Sequence, residues 1–138
     1  MNIDSIKNGI VIDHIPAGKA MQIYKLLGLD KAHYPVAMIM NVSSNKMGKK
    51  DIIKIDSSYD VDMDILGYVA PGVTVNIIKD EKLADKKFPA LPTELRDVII
   101  CKNPRCITTT EQEIKNAFYK NADEDFYRCA YCDNKLED

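Results

Sequence analysis

Long apolar stretches are missing from this 138-residue chain. None reaches ten residues, whereas a helix crossing a bilayer needs about 20. The first residues, MNIDSIKNG, lack the basic, then apolar, then small-residue layout of a secretory leader. These two absences lead to the expectation of a cytoplasmic protein with no membrane partner. An excess of positive charge is missing too: the net charge is −2, which argues against a broad nucleic-acid footprint. No G-x-x-x-x-G-K-[ST] occurs, so the chain is not a P-loop hydrolase. Two histidines and no Ser-His motif leave little for a small enzyme to work with. No repeat of the roughly 20–50-residue period of solenoids is visible. Cysteine, finally, is absent from the first hundred residues.

Four cysteines are present, all in the last 38 residues. Without an export signal, paired cysteines point to metal before disulfides. Cys101 and Cys106 form C-x4-C, Cys129 and Cys132 form C-x2-C, and 22 residues separate the pairs. Each pair can bring both sulfurs to one ion, and two pairs complete a tetrahedral shell. Zn²⁺ accepts four thiolates readily, and a full thiolate shell leaves no position for water. One structural Zn²⁺ per chain is therefore expected. Two disulfides would need an oxidising compartment, and a rubredoxin-type iron site usually uses two C-x2-C knuckles.

The composition changes near Leu95. Residues 1–95 carry twelve basic and twelve acidic side chains, while residues 96–138 carry seven basic and nine acidic. Phe88-Pro89-Ala90-Leu91-Pro92 precedes the change, and its two prolines favour an extended linker. The expected domains are 1–92 and 93–138. In the first, Ile10–Ile15, Val36–Val42, Lys50–Asp56 and Val73–Ile78 read as strands. Lys19–Leu27 and Asp60–Tyr68 read as helices, with Gly28 as the first helix's stop. The order β-α-β-β-α-β predicts an α+β fold, a ferredoxin-like four-stranded antiparallel sheet with both helices on one face. The other face must be covered or used. The second domain is too small to fold without a staple, so the cysteines make it a zinc-ribbon-like β module.

Val11-Ile12-Asp13-His14-Ile15-Pro16-Ala17, Met47-Gly48-Lys49-Lys50-Asp51-Ile52-Ile53-Lys54-Ile55, Ala70-Pro71-x-x-Thr74-Val75-Asn76 and the two cysteine pairs occur in that order. Together they resemble the regulatory chains of aspartate carbamoyltransferase over nearly the whole chain. The resemblance implies a non-catalytic allosteric subunit in de novo pyrimidine biosynthesis. Its first domain would bind ATP as activator and CTP, with UTP in some members, as inhibitor. Its zinc domain would dock on the catalytic chain, and regulatory homodimers would join catalytic trimers.

The resemblance also implies a site. Asp13 matches a ribose-contacting acid, and His14 lies near the triphosphate. Lys54 matches a lysine on ribose and base, Lys86 one on the triphosphate. Val11, Ile12, Asn76 and Ile78 line the base and sugar region, Ile12 and Ile78 partly through backbone. Glu81 and Leu83 fall where a loop closes over the base. Cys101, Cys106, Cys129 and Cys132 match the zinc ligands, and Asn103 a residue at the catalytic-chain contact. Some members have a longer N-terminal arm around a second nucleotide and metal; this chain starts several residues later. The segment Lys79–Lys87 is more charged than its counterpart and lacks an aromatic that some members have.

Elementary chemistry agrees with a binding site of this kind. A triphosphate needs Lys or His beside its oxygens, and a carboxylate suits ribose hydroxyls. By residue type alone, Asp13-His14 is an ordinary strand end, Lys49-Lys50 a solvated turn, and Asn103 a turn cap. The competing reading is a nucleic-acid-binding zinc ribbon with an accessory domain. It requires a basic stripe that the C-terminal charge balance does not supply.

Overall fold

Ile10, Ile12 and Ile15 are buried along β1 (Gly9–Pro16), while Val11, Asp13 and His14 between them are half-buried. The computed structural model describes residues 6–58, 60–111 and 113–136. The chain divides into two compact units, Met1–Leu91 and Pro92–Asp138. In the first unit β1 is followed by α1 (Ala20–Leu26), a 3-10 turn (Leu29–Lys31), β2 (Val36–Ser44) and β3 (Gly48–Ile55). Then come α2 (Met63–Val69), β4 (Thr74–Lys79) and β5 (Lys82–Lys87). All pairings are antiparallel, in the order β2-β3-β1-β4-β5. The first four strands and two helices follow the expected βαββαβ order.

The fifth strand is a departure. The segment expected as a loop over a base turns at Asp80 and Glu81 and pairs back on β4. Both residues have positive φ, 52° and 66°, which a two-residue hairpin turn between twisted strands requires. β5 carries Lys82, Asp85, Lys86 and Lys87 and is exposed throughout, as suits a sheet edge.

One face of the sheet holds the core. Ile10, Ile12, Ile53, Ile55 and Val75 meet Ala20 and Ile23 of α1 and Leu66 and Val69 of α2, all buried. α1 packs on both α2 and β3. Each fully buried isoleucine contributes about 1.5–3 kcal/mol. A bulge after Ile12 brings Ile15 back to this face, since Ile12 faces Ile53 but Ile15 faces Asp51.

The helix ends are fixed by specific groups. Asp62 caps α2, accepting from the amides of Asp64 at 3.0 Å and Ile65 at 3.2 Å, so the helix starts at Met63 and not at Asp60. Gly28, with φ 70°, ends α1 as its sequence suggested. The start of α1 has no cap of its own. Asp51, fully buried on β3, supplies one: its carboxyl accepts from the Gly18 amide at 2.9 Å and the Ala20 amide at 3.3 Å. The other oxygen accepts from the Asn41 amide at 3.0 Å, at the point where a bulge interrupts β2. On α2, a Cβ at Gly67 would stand 1.9 Å from the Ala90 carbonyl oxygen, so only glycine admits that backbone.

The second unit has a three-stranded sheet of β6 (Glu94–Arg96), β7 (Ala117–Tyr119) and β8 (Arg128–Cys129), with a short α3 (Ile107–Thr110). Its apolar core is Leu95, Phe118 and Tyr127, whose hydroxyl donates to the Pro92 carbonyl. Arg128 donates to Glu124 at 2.7 Å and to the Asp133 carbonyl at 3.1 Å, tying the preceding loop to the end of β8. Among the described residues, no helix is long and apolar enough to cross a membrane.

Candidate metal centre and effector face

The four cysteines meet in the second unit. Cys101 sits after the loop from β6, with its amide held by the Asn116 side chain at 2.9 Å. Cys106 opens α3, Cys129 ends β8, and Cys132 follows in the next turn. All four sulfurs lie within 4.8 Å of one another. Cys101 and Cys132 Sγ are 3.8 Å apart, and Cys106 and Cys129 Sγ 3.7 Å. A disulfide would bring them to about 2.05 Å. A tetrahedron with metal–sulfur bonds of about 2.3 Å has edges of about 3.8 Å. The spacing is thus that of a tetrahedral metal shell.

The surrounding donors point the same way. Burial pushes the Cys101 thiol up to about 12, against the Asn103 amide, which favours the thiolate. Burial also raises Cys129, opposed by the amides of Cys132 and Tyr131. At Cys132 burial is outweighed by the Asn103 side chain and the Asn134 amide, and its value falls to about 7. Amides aimed at sulfur suit thiolates, yet burial and crowding resist four of them. A bound cation resolves that conflict. Asn103 is central: its carbonyl accepts from the Cys106 amide at 3.1 Å and Thr109 Oγ1 at 2.8 Å. A cavity of about 320 Å³ beside the cluster is lined by Lys102, Asn103, Asn134 and Lys135 among others.

In the first unit the helix-free face of the sheet collects polar groups. Residues directly opposite in antiparallel strands share a face. Val11 faces Lys54 on one side and Asn76 on the other, and Asn76 faces Lys86. Asp13 faces Thr74, and Ile78 faces Leu83. Register therefore brings Val11, Asp13, Lys54, Asn76, Ile78, Leu83 and Lys86 to one side. His14, at φ 60° in the β1 bulge, joins them through a 3.1 Å hydrogen bond between Nδ1 and Thr74 Oγ1.

Two expected residues are not brought there. Ile12 points into the core and is fully buried, leaving only its backbone toward this face. Glu81 sits in the β4–β5 turn with its amide bound to the Lys7 carbonyl at 2.9 Å.

Lys50 is a residue that sequence reasoning passed over as a solvated turn. Its ammonium lies 3.0 Å from Asp13 Oδ1, and both side chains are mostly buried. Burial works to raise the Asp13 carboxyl, but Lys50 and the His14 amide outweigh it and hold it below its ordinary value. The signal was present: Lys50, Ile52 and Lys54 alternate on one face of β3.

Two family models match the chain in succession. Residues 1–89 match the allosteric domain of the aspartate carbamoyltransferase regulatory chain, and residues 93–138 its metal binding domain. It is 51% identical over 134 residues to the aspartate carbamoyltransferase regulatory chain of Clostridium botulinum (strain Hall), covering 96% of this chain and 92% of that one. The protein of the same name from Clostridium tetani is 50% identical over 135 residues, with 96% and 94% covered. That from Bifidobacterium longum is 46% identical over 138 residues, with 99% of both covered.

Proposed function

The chain belongs to the family of aspartate carbamoyltransferase regulatory chains, a family of regulatory and not catalytic subunits, and from that premise we propose that it is the nucleotide-sensing subunit of this enzyme in pyrimidine biosynthesis. The first unit binds ATP, CTP or UTP on the helix-free face. The second holds one structural Zn²⁺ through Cys101, Cys106, Cys129 and Cys132 and docks on the catalytic chain. A second copy of this chain completes the regulatory dimer that links catalytic trimers.

One observation carries the nucleotide reading: Asp13, Lys54, Asn76 and Lys86 share one face of the sheet. A carboxylate for ribose hydroxyls, an amide for base edges and cations for phosphate are what a nucleotide needs. Val11 and Ile78 supply the apolar ground between them. No phosphate-cradling glycine loop is present, which suits binding without turnover.

Isothermal titration of the zinc-loaded chain with ATP and CTP tests the reading. Lys86→Ala is expected to weaken both by about tenfold, the lower end for a charge-assisted hydrogen bond, because Lys86 is exposed. Absence of nucleotide binding to the parent chain, alone and with its catalytic partner, would refute the reading. Equal affinities of parent and variant would refute the role of Lys86.

A further inference from the structure

Residues 6–8 do more than lead into β1. Asn8 Oδ1 accepts a hydrogen bond from the Asp80 amide at 3.1 Å, and the Lys7 carbonyl accepts one from the Glu81 amide at 2.9 Å. Those two amides belong to the β4–β5 turn, the two residues held at positive φ. Neither is glycine, so both resist that conformation. The segment that holds them is itself anchored. Ile6 is buried, 8% exposed, and its Cγ2 lies 2.7 Å from where a Cβ on residue 9 would stand. The Ile55 carbonyl oxygen would be 2.2 Å from the same point, so Gly9 lets the chain fold back tightly.

Beyond the turn the arm is fixed by its ladder to β4. Every residue of β5 is exposed, the strand pairs with β4 alone, and a bulge between Ile77 and Ile78 interrupts that pairing. Yet this arm brings Leu83 and Lys86 to the face proposed to bind nucleotides. A binding arm that must be ordered on binding loses affinity, and one ordered beforehand does not.

We propose that Asn8 is a positioning residue for the effector face: the strap Ile6–Asn8 holds the Asp80–Glu81 turn, and through it the arm that carries Leu83 and Lys86. The proposal rests on the nucleotide-binding reading above. Asn8 touches no ligand itself. It acts by keeping the arm in register, so its loss is felt as weaker binding without loss of fold.

The test uses the zinc-loaded full-length chain. Asn8→Ala is expected to raise the Kd for ATP and CTP by about two- to tenfold, the span of one net hydrogen bond. Its denaturant midpoint should fall by no more than the loss of that one hydrogen bond allows, and exchange of the Asp80 and Glu81 amides should be faster. Asn8→Asp keeps an acceptor oxygen, and adenosine has no phosphate to sense the added charge. Adenosine affinity should therefore return to the parent value in that variant. Parent-like affinity in Asn8→Ala overturns the proposal, as does an Asn8→Asp protein that stays weak toward adenosine. A parent chain that binds no nucleotide overturns instead the reading on which the proposal rests.

Discussion

Asp51 exposes no surface to water and yet faces no lysine or arginine among its hydrogen-bond partners; three backbone amides satisfy it. It joins the start of α1, the turn before it and the bulge in β2. Asp51→Ala leaves those amides short of an acceptor, each worth ~1–3 kcal/mol where water cannot reach it. The variant is expected to lose about 3–5 kcal/mol in a urea or guanidinium titration followed in the first unit. Asp51→Asn keeps one acceptor oxygen and should lose less. A loss below 1 kcal/mol for the alanine variant would show that the amides find other partners. The alternating isoleucines of β1 and β3 could be read from sequence because burial repeats every second residue. Asp51 could not, because a buried acid differs from a solvated one only through partners distant in the chain. Lys50 was hidden for the same reason: its meaning lies in Asp13, across a strand pair. The four cysteines were legible because their spacing alone brings sulfurs together.

The two edges of the first sheet differ in kind. β5 has four charged residues in six, while β2 has none in nine. Charges on an edge prevent strand addition, and their absence permits it. Met40, 48% exposed at the β2 bulge, stands where a charge would act. If the second copy joins at β2 about a two-fold axis, Met40→Lys sets like charges near each other and should shift the chain from dimer to monomer in sedimentation. A lysine at Leu83, on the already charged edge, should leave the mass unchanged. A dimeric Met40→Lys chain would place the contact elsewhere. At this scale the sequence pattern served well for strands and helices. It failed at β5, whose KLADKK lacks β-branched and aromatic residues and is a strand only because β4 offers it a ladder. The turn that starts it has Asp-Glu where glycine or asparagine would have announced a hairpin.

Across the whole molecule, the two units rest on different kinds of stabilisation. The first buries sixteen aliphatic side chains among its described residues, around one sheet and two helices. The second has Leu95, Phe118 and Tyr127 around four sulfurs. Forty-seven residues with so small a core depend on the ion. Exhaustive chelation is expected to unfold the second unit and free the catalytic partner, while the first keeps its circular-dichroism signal and its nucleotide affinity. Retained association after complete metal removal would count against this. The cluster has one further consequence. Burial keeps the protons on Cys101 and Cys129 until a metal displaces them, while Cys132, at about 7, gives its own up more readily. Each ion taken up therefore expels protons, those of Cys101 and Cys129 foremost. Loading exchanges protons for a metal cation, so the apparent metal affinity rises with pH. The second unit is held closed not by affinity for metal alone but by how scarce protons are around it.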